Sequence, residues 1–269
     1  METNGLVNIK KCFTINQHRT TEEFKTYEEL IKNNIFQAIE IFYPYDKTLE
    51  QLETYKQNVL NLMKYDIEVV LHLPHGFKSD LCNENEYEIV LQRMKDAIDF
   101  SKQFNVKKLT LHLGGFNNKE LGRKYFVDKS IETVKELCDY CYPQYLMIEN
   151  MPGYNELGYS PDEIKEIIKK ANKANLKFII DFGHANVSDY NIDEYIYKLK
   201  DYLVHTHISD NDGTSDQHKP IGCGNIDYKK VYNLLNEVKY KELYCFEIIY
   251  KTSNDLVEYQ KKLIETLNS

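Results

Sequence analysis

The chain has 269 residues, 42% hydrophobic and 28% charged, with 11 Gly and 6 Pro, a composition that excludes disordered and fibrous classes. A chain this long buries most of its apolar surface and needs neither disulfides nor a structural metal to fold. The formal net charge of −8 and the presence of only Arg19, Arg93 and Arg123 argue against a nucleic-acid partner, whose phosphates call for clustered cations.

In chain order, part of Leu6–Ile15 reads as a first strand and Phe36–Phe42 as a second. Glu50–Tyr65 carries apolar residues at three- and four-residue spacing and reads as a helix, followed by a strand at Glu68–Leu73. The same alternation gives a helix at Glu88–Phe104, a strand at Lys107–Leu113, a helix at Val127–Cys138 and a strand at Tyr145–Glu149. Ser160-Pro161 is a helix start with a cap and a first-turn proline, opening Asp162–Ala174. Strands at Lys177–Asp181, Leu203–Ile208 and Leu243–Ile249 complete the series. Strand–helix alternation implies a parallel sheet with helical crossovers. Eight strands, without a linker or a G-x-G-x-x-G after the first, predict an α/β fold in which residues 1–269 form one (β/α)₈ TIM barrel.

Met1 to Gln17 holds no apolar run of signal-peptide length, and no segment reaches the length of a membrane span. The six cysteines are scattered, as free thiols in a reducing compartment would be, so a cytoplasmic location is expected. Cys138-x-x-Cys141 stands without a second pair and reads as two ordinary helix-end cysteines.

Strands of a parallel barrel are buried on both faces and should be apolar throughout. Here most carry an ionisable residue at or near the C-terminal end: Glu40, His72, His112, Glu149, Asp181, His205 with His207, and Glu247. Burying unpaired carboxylates costs several kcal/mol, so such groups pair or bind a metal. With almost no Lys or Arg among them, a salt-bridge network is a poor explanation. A divalent ion taken by oxygen and imidazole ligands, Zn²⁺, Mn²⁺, Co²⁺ or Mg²⁺, is a good one. The long stretch from Ser209 to Asp227 adds Asp216 and His218, and Asp181-x-x-His184 adds a further histidine. His205 reads as a packed barrel histidine, and His18 as a surface loop residue. Gly222-x-Gly224 beside Lys219 could cradle a phosphate, although a tight turn explains the glycines better.

The motifs I-E-N at 148–150, D-F-G-H at 181–184, H-I-S-D-N at 207–211, D-x-H at 216–218 with P-I-G-C-G-N-I-D after it, and F-E-I at 246–248 resemble the xylose isomerase-like barrel superfamily. That superfamily contains sugar phosphate isomerases and epimerases, and also the AP endonuclease family 2, or endonuclease IV-like, enzymes. Resemblance to the first branch implies one ion on Glu149, Asp181, His207 and Glu247, with Glu149 and Glu247 as acid and base. His184 then contacts substrate oxygen, and His75, Glu40 and Lys219 are further candidate substrate contacts. Resemblance to the second branch implies up to three Zn²⁺ on His72, His112, Glu149, Asp181, His184, His207, Asp216, His218 and Glu247. The surroundings depart from that branch: Leu113-Gly114-Gly115 follows His112 where Pro-Gly is usual, and Phe182-Gly183 follows Asp181 where Thr-Cys is usual. The expectation is therefore a divalent-metal-dependent isomerase or epimerase of a sugar, sugar phosphate or related polyol. A zinc phosphodiesterase acting on abasic DNA is the alternative. Such barrels often pair, so the resemblance leaves room for a homodimer.

Overall fold

The structure, a computed structural model, describes residues 9–116 and 118–269. Eight parallel strands, β1 (Lys10–Ile15), β2 (Ala38–Phe42), β3 (Glu68–His72), β4 (Lys108–Leu111), β5 (Tyr145–Glu149), β6 (Leu176–Asp181), β7 (Leu203–Ile208) and β8 (Leu243–Phe246), close into a barrel in which β8 pairs with β1. The fold is the expected (β/α)₈ barrel. The predicted strands at Tyr145–Glu149 and Leu203–Ile208 match residue for residue, while those around Lys107 and Leu243 end early. His112 and Glu247 consequently lie just past the last paired residues of β4 and β8. Residues 6–8 of the expected first strand lie outside the described residues.

The helices are α1 (Thr21–Lys32), α2 (Leu49–Leu62), α3 (Tyr87–Ser101), α4 (Gly122–Cys141), α5 (Pro161–Ala171), α6 (Phe182–Val187), α7 (Ile192–Leu199), α8 (Tyr228–Glu237) and α9 (Ser253–Asn268). Several open on a side chain that satisfies the free N–H groups of the first turn: Thr20 and Thr48 form capping boxes with Glu23 and Gln51. Ser160 accepts from the Glu163 N–H with Pro161 in the first turn, as the sequence predicts. Cys138 and Cys141 are buried in α4 as free thiols, and burial raises both thiol pKa values, that of Cys141 to about 12. That is the behaviour of structural cysteines. Among the described residues no helix is long and apolar enough to cross a membrane.

Two apolar clusters divide the interior. A large one contains Phe13, Ile39, Leu71, Leu109, Ile148, Phe178, Ile180 and Phe246 together with the buried faces of the helices. A small one contains Cys12, Ala38, Val70, Met147, Ile179, Leu243 and Cys245. Ala38, Val70, Met147, Ile179 and Cys245 each precede by two residues the ionisable group Glu40, His72, Glu149, Asp181 or Glu247. The two-residue period of a strand puts both members of each pair on one side. The small cluster thus fills the barrel interior, and the ionisable side chains form the layers above it at the C-terminal mouth.

Candidate metal centre

Three groups of side chains at this mouth have ligand atoms close enough to share an ion: His72, His112 and Glu149; Glu149, Asp181, His207 and Glu247; and His184, Asp216 and His218. All nine residues drawn from the sequence as candidate ligands fall into these groups, and Glu149 belongs to two of them. His207 Nδ1 lies 3.1 Å from Glu149 Oε1 and 2.9 Å from Glu247 Oε2. The other carboxylate oxygen of Glu149 lies 3.0 Å from His112 Nε2 and 3.5 Å from His72 Nε2. Asp216 Oδ2 stands between His184 Nε2 at 3.3 Å and His218 Nε2 at 2.8 Å.

Local folding aims these atoms. Asp181 ends β6 and caps α6, accepting the His184 N–H on Oδ1 at 2.6 Å. Its Oδ2 is buried without a hydrogen-bond partner, with His207 Nδ1 3.9 Å away. The Asn150 amide clamps the Asp181 backbone, donating to its carbonyl at 2.9 Å and accepting its N–H at 2.8 Å. Three histidines each place Nδ1 within hydrogen-bond reach of a backbone carbonyl at 2.8 Å: His72 on Leu73, His184 on Asn150 and His218 on Glu247. With the proton on Nδ1, each offers a bare Nε2 to the centre, the arrangement of metal-binding histidines.

Asp216 and His218 reach the site because the β7–α8 loop is folded around one buried carboxylate. Asp210 Oδ2 accepts the Gly222 and Gly224 N–H groups at 2.8 and 2.9 Å, and Oδ1 accepts that of Ile226 at 3.2 Å. A Cβ at Gly224 would run into the Asn211 carbonyl and the Asp210 carboxylate, so only glycine fits. The G-x-G pair is therefore a tight turn whose N–H groups serve Asp210, and no phosphate cradle.

The electrostatics call for cations. Among the described residues no Lys or Arg forms an ion pair with Glu149, Asp181, Asp216 or Glu247; histidines alone do. Burial disfavours charged imidazoles, yet the surrounding carboxylates raise His184 and His207 well above the ordinary value and His218 to about 10. Burial, reinforced by Glu149 and Glu247, raises Asp181 to about 6, whereas His207 overcomes burial to hold Glu247 at about 2. An orphaned carboxylate oxygen among histidines that take up protons for want of another cation is a donor set that fits divalent ions.

Other expected contacts fare differently. His75 packs on His72 and His112 at 4.6 and 4.9 Å between ring centroids, at the mouth. Lys219 reaches Asp212 at 3.5 Å and bridges Asp210 through its backbone. Glu40, an expected substrate contact, is 0% exposed and accepts from both His205 and His207. As a mid-strand residue it belongs to the layer below the mouth.

Two cavities of about 450 and 340 Å³ share Asn16, Phe42 and Glu247 among their linings, within the size range of small-molecule sites. Thr14, His18 and Arg19 also line the larger one, and their role was invisible in the sequence because β1 and its loop carry no distinctive pattern. The Arg19 guanidinium stacks on Tyr250 at 4.3 Å and donates to Glu23 at 2.7 Å. Glu156 was missed as well: burial raises its pKa, and His112, His184, Asp216 and Glu149 surround it.

Comparison with known proteins agrees with this architecture. A family model described as xylose isomerase-like TIM barrel matches residues 29–269. An uncharacterized protein of Methanocaldococcus jannaschii, MJ1311, is 30% identical over 217 residues, covering 76% of this chain and 71% of its own. A crystal structure of a D-tagatose 3-epimerase-like protein superposes with a TM-score of 0.77 at 27% identity, covering 95% of this chain and 98% of its own. The Probable endonuclease 4 of Carboxydothermus hydrogenoformans is 21% identical over 240 residues, covering 81% and 84% of the two chains. With the eight-stranded barrel, the motifs at its mouth and a match over residues 29–269, the chain belongs to the xylose isomerase-like TIM-barrel family.

Proposed function

We propose that the protein is a divalent-metal-dependent isomerase or epimerase of a small polyhydroxylated substrate, a sugar, sugar phosphate or related polyol. The observation that carries this reading is the group Glu149, Asp181, His207 and Glu247, in which two glutamates share one site and Glu247 also lines both cavities of the mouth. A divalent ion held there would polarise a substrate carbonyl or hydroxyl and so acidify the neighbouring C–H. Glu247, 15% exposed and held ionised, removes that proton. Glu149, wholly buried, keeps its charge through the histidines around it and serves as the partner acid–base group. Asn16, Arg19 and His18 supply hydrogen-bonding groups to hold hydroxyls away from the reacting carbon. Volumes of 340 to 450 Å³ suit a monosaccharide far better than a duplex, as does the charge of −8.

One observation favours a second reading. The two flanking groups, His72–His112–Glu149 and His184–Asp216–His218, supply ligands for two further ions. A three-ion centre would suit phosphodiester hydrolysis, in which several ions activate water and stabilise the leaving oxygen.

The test is elemental analysis of the purified protein joined to a screen of ketoses and sugar phosphates with wild type and Glu247→Gln. Under the first reading an ion-loaded wild type turns over at least one of them. Glu247→Gln keeps its fold and loses roughly 10²- to 10⁴-fold in rate. Undiminished turnover by Glu247→Gln sinks the acid–base assignment. Two or three tightly held zinc ions per chain, with nicking of an abasic duplex at low salt, establish the second reading instead.

A further inference from the structure

One buried carboxylate, Glu40, takes no part in either reading. Beneath the centre, Glu40 on β2 lies among His205 and His207 on β7, Cys245 on β8 and Thr110 on β4, all fully buried. Glu40 Oε1 accepts from Thr110 Oγ1 at 2.7 Å. Glu40 Oε2 faces three donors: His205 Nε2 at 2.9 Å, His207 Nε2 at 2.8 Å and Cys245 Sγ at 3.5 Å. The residue types could hold an ion, but direct hydrogen bonds already join the Glu40 carboxylate to all four neighbours, and only His205 Nδ1 is left without a hydrogen-bond partner. A carboxylate buried this completely needs another reason to be there.

The geometry points to Glu40 as a positioning residue that makes His207 a ligand through Nδ1. An imidazole offers a lone pair on one nitrogen only when the other carries the proton. An ionised carboxylate accepts and never donates. A hydrogen bond from His207 Nε2 to Glu40 therefore keeps that proton on Nε2, so that Nδ1, facing Glu149, Glu247 and Asp181 Oδ2, is the nitrogen that gives up its proton to an ion. His72, His184 and His218 are oriented the other way, with Nδ1 on neutral backbone carbonyls and Nε2 toward the centre. Of these four, only His207 has a carboxylate, and not a backbone carbonyl, as the hydrogen-bond partner of its nitrogen on the far side from the centre. A carboxylate behind a ligating imidazole strengthens it as a donor, and its negative charge sits one ring away from the cation. His205, two residues earlier on the same side of β7, donates to the same oxygen and holds the carboxylate from below.

This inference rests on the ion site proposed above at Glu149, Asp181, His207 and Glu247, and one experiment separates the two. Zn²⁺ binding is measured by competition with a chromogenic chelator for wild type, His207→Ala, Glu40→Gln and Glu40→Met, with circular dichroism as the check on folding. His207→Ala identifies the ion concerned by its loss. Loss of the orienting partner weakens that ion roughly 10- to 100-fold. Glu40→Gln, which keeps shape and an acceptor oxygen, falls less than Glu40→Met. Imidazole ¹⁵N spectra of the Zn²⁺-loaded wild type are expected to give His207 protonated at Nε2 and ligating through Nδ1, which a merely structural role for Glu40 would not require. A wild type that takes up no ion overturns the site, and the inference with it. If wild type binds and folded Glu40→Gln and Glu40→Met bind equally tightly, or His207 ligates through Nε2, the role of Glu40 alone is overturned.

Discussion

At the scale of the residue, the mouth of this barrel is a balance between carboxylates and protonated histidines that ions would replace. The sign of its pH dependence follows. In the ion-free protein burial disfavours the His218 cation, but Asp216, Glu247 and Asp181 raise its pKa to about 10. A group whose folded pKa exceeds its unfolded value of about 6.5 contributes stability that is complete below pH 6.5 and lost as pH rises toward 10. Ion-free protein is therefore expected to melt progressively lower from pH 7 to pH 10. Ion binding has the opposite slope, because the ligand imidazoles must release their protons. Affinity should rise with pH over the same interval and fall steeply below pH 6, where Asp181 becomes protonated. Calorimetry of Zn²⁺ binding in buffers of differing ionisation enthalpy measures the protons released; a release of zero would contradict the protonation state derived for His184, His207 and His218.

At the scale of the element, the β7–α8 loop decides how many ligands reach the centre. Its fold depends on Asp210 and on glycine at 224, where any Cβ collides with the Asn211 carbonyl. Gly224→Ala is expected to cost about 1–3 kcal/mol by overpacking, read as a lowered thermal midpoint. It should also loosen the ion held by His184, Asp216 and His218 while leaving the site of Asp181 and Glu247 occupied. An unchanged midpoint and unchanged ion content would show that the loop does not depend on that turn. The element scale also explains what could be read in the sequence. Ionisable residues at the ends of apolar runs revealed the mouth because nothing else explains them. Arg19, Asn16 and Glu156 sit in loops of ordinary polar composition, where a residue in the cavity looks like one in solvent. Glu40 carried the same signal as the ligands but lies a layer deeper, and a one-dimensional pattern does not report depth along the barrel axis.

At the scale of the whole molecule, the centre ties together β5, β6, β7 and the end of β8 through one shared set of side chains. Ion binding to the folded chain alone stabilises it by RT ln(1 + [L]/Kd), about 2.7 kcal/mol at a hundredfold excess over Kd. Chelation is accordingly expected to lower the melting temperature reversibly, and re-addition of Zn²⁺ or Mn²⁺ to restore it. A midpoint indifferent to both chelator and ion would leave the carboxylates of the mouth without the cation their burial demands.

The sequence by itself determined the strand–helix alternation, the eight-fold count and the identity of the nine candidate ligands, because buried charges in apolar strands and helical periodicity are local signals. It left open how those ligands group, and that question belongs to the tertiary structure. Closure of the barrel brings Glu149 against histidines of β3, the end of β4 and β7. The Asp210 turn carries Asp216 and His218 to His184, and the strand stagger puts Glu40 against the Nε2 side of His207. Distances between side chains tens of residues apart are set by the shear and packing of the closed sheet, which no single segment encodes.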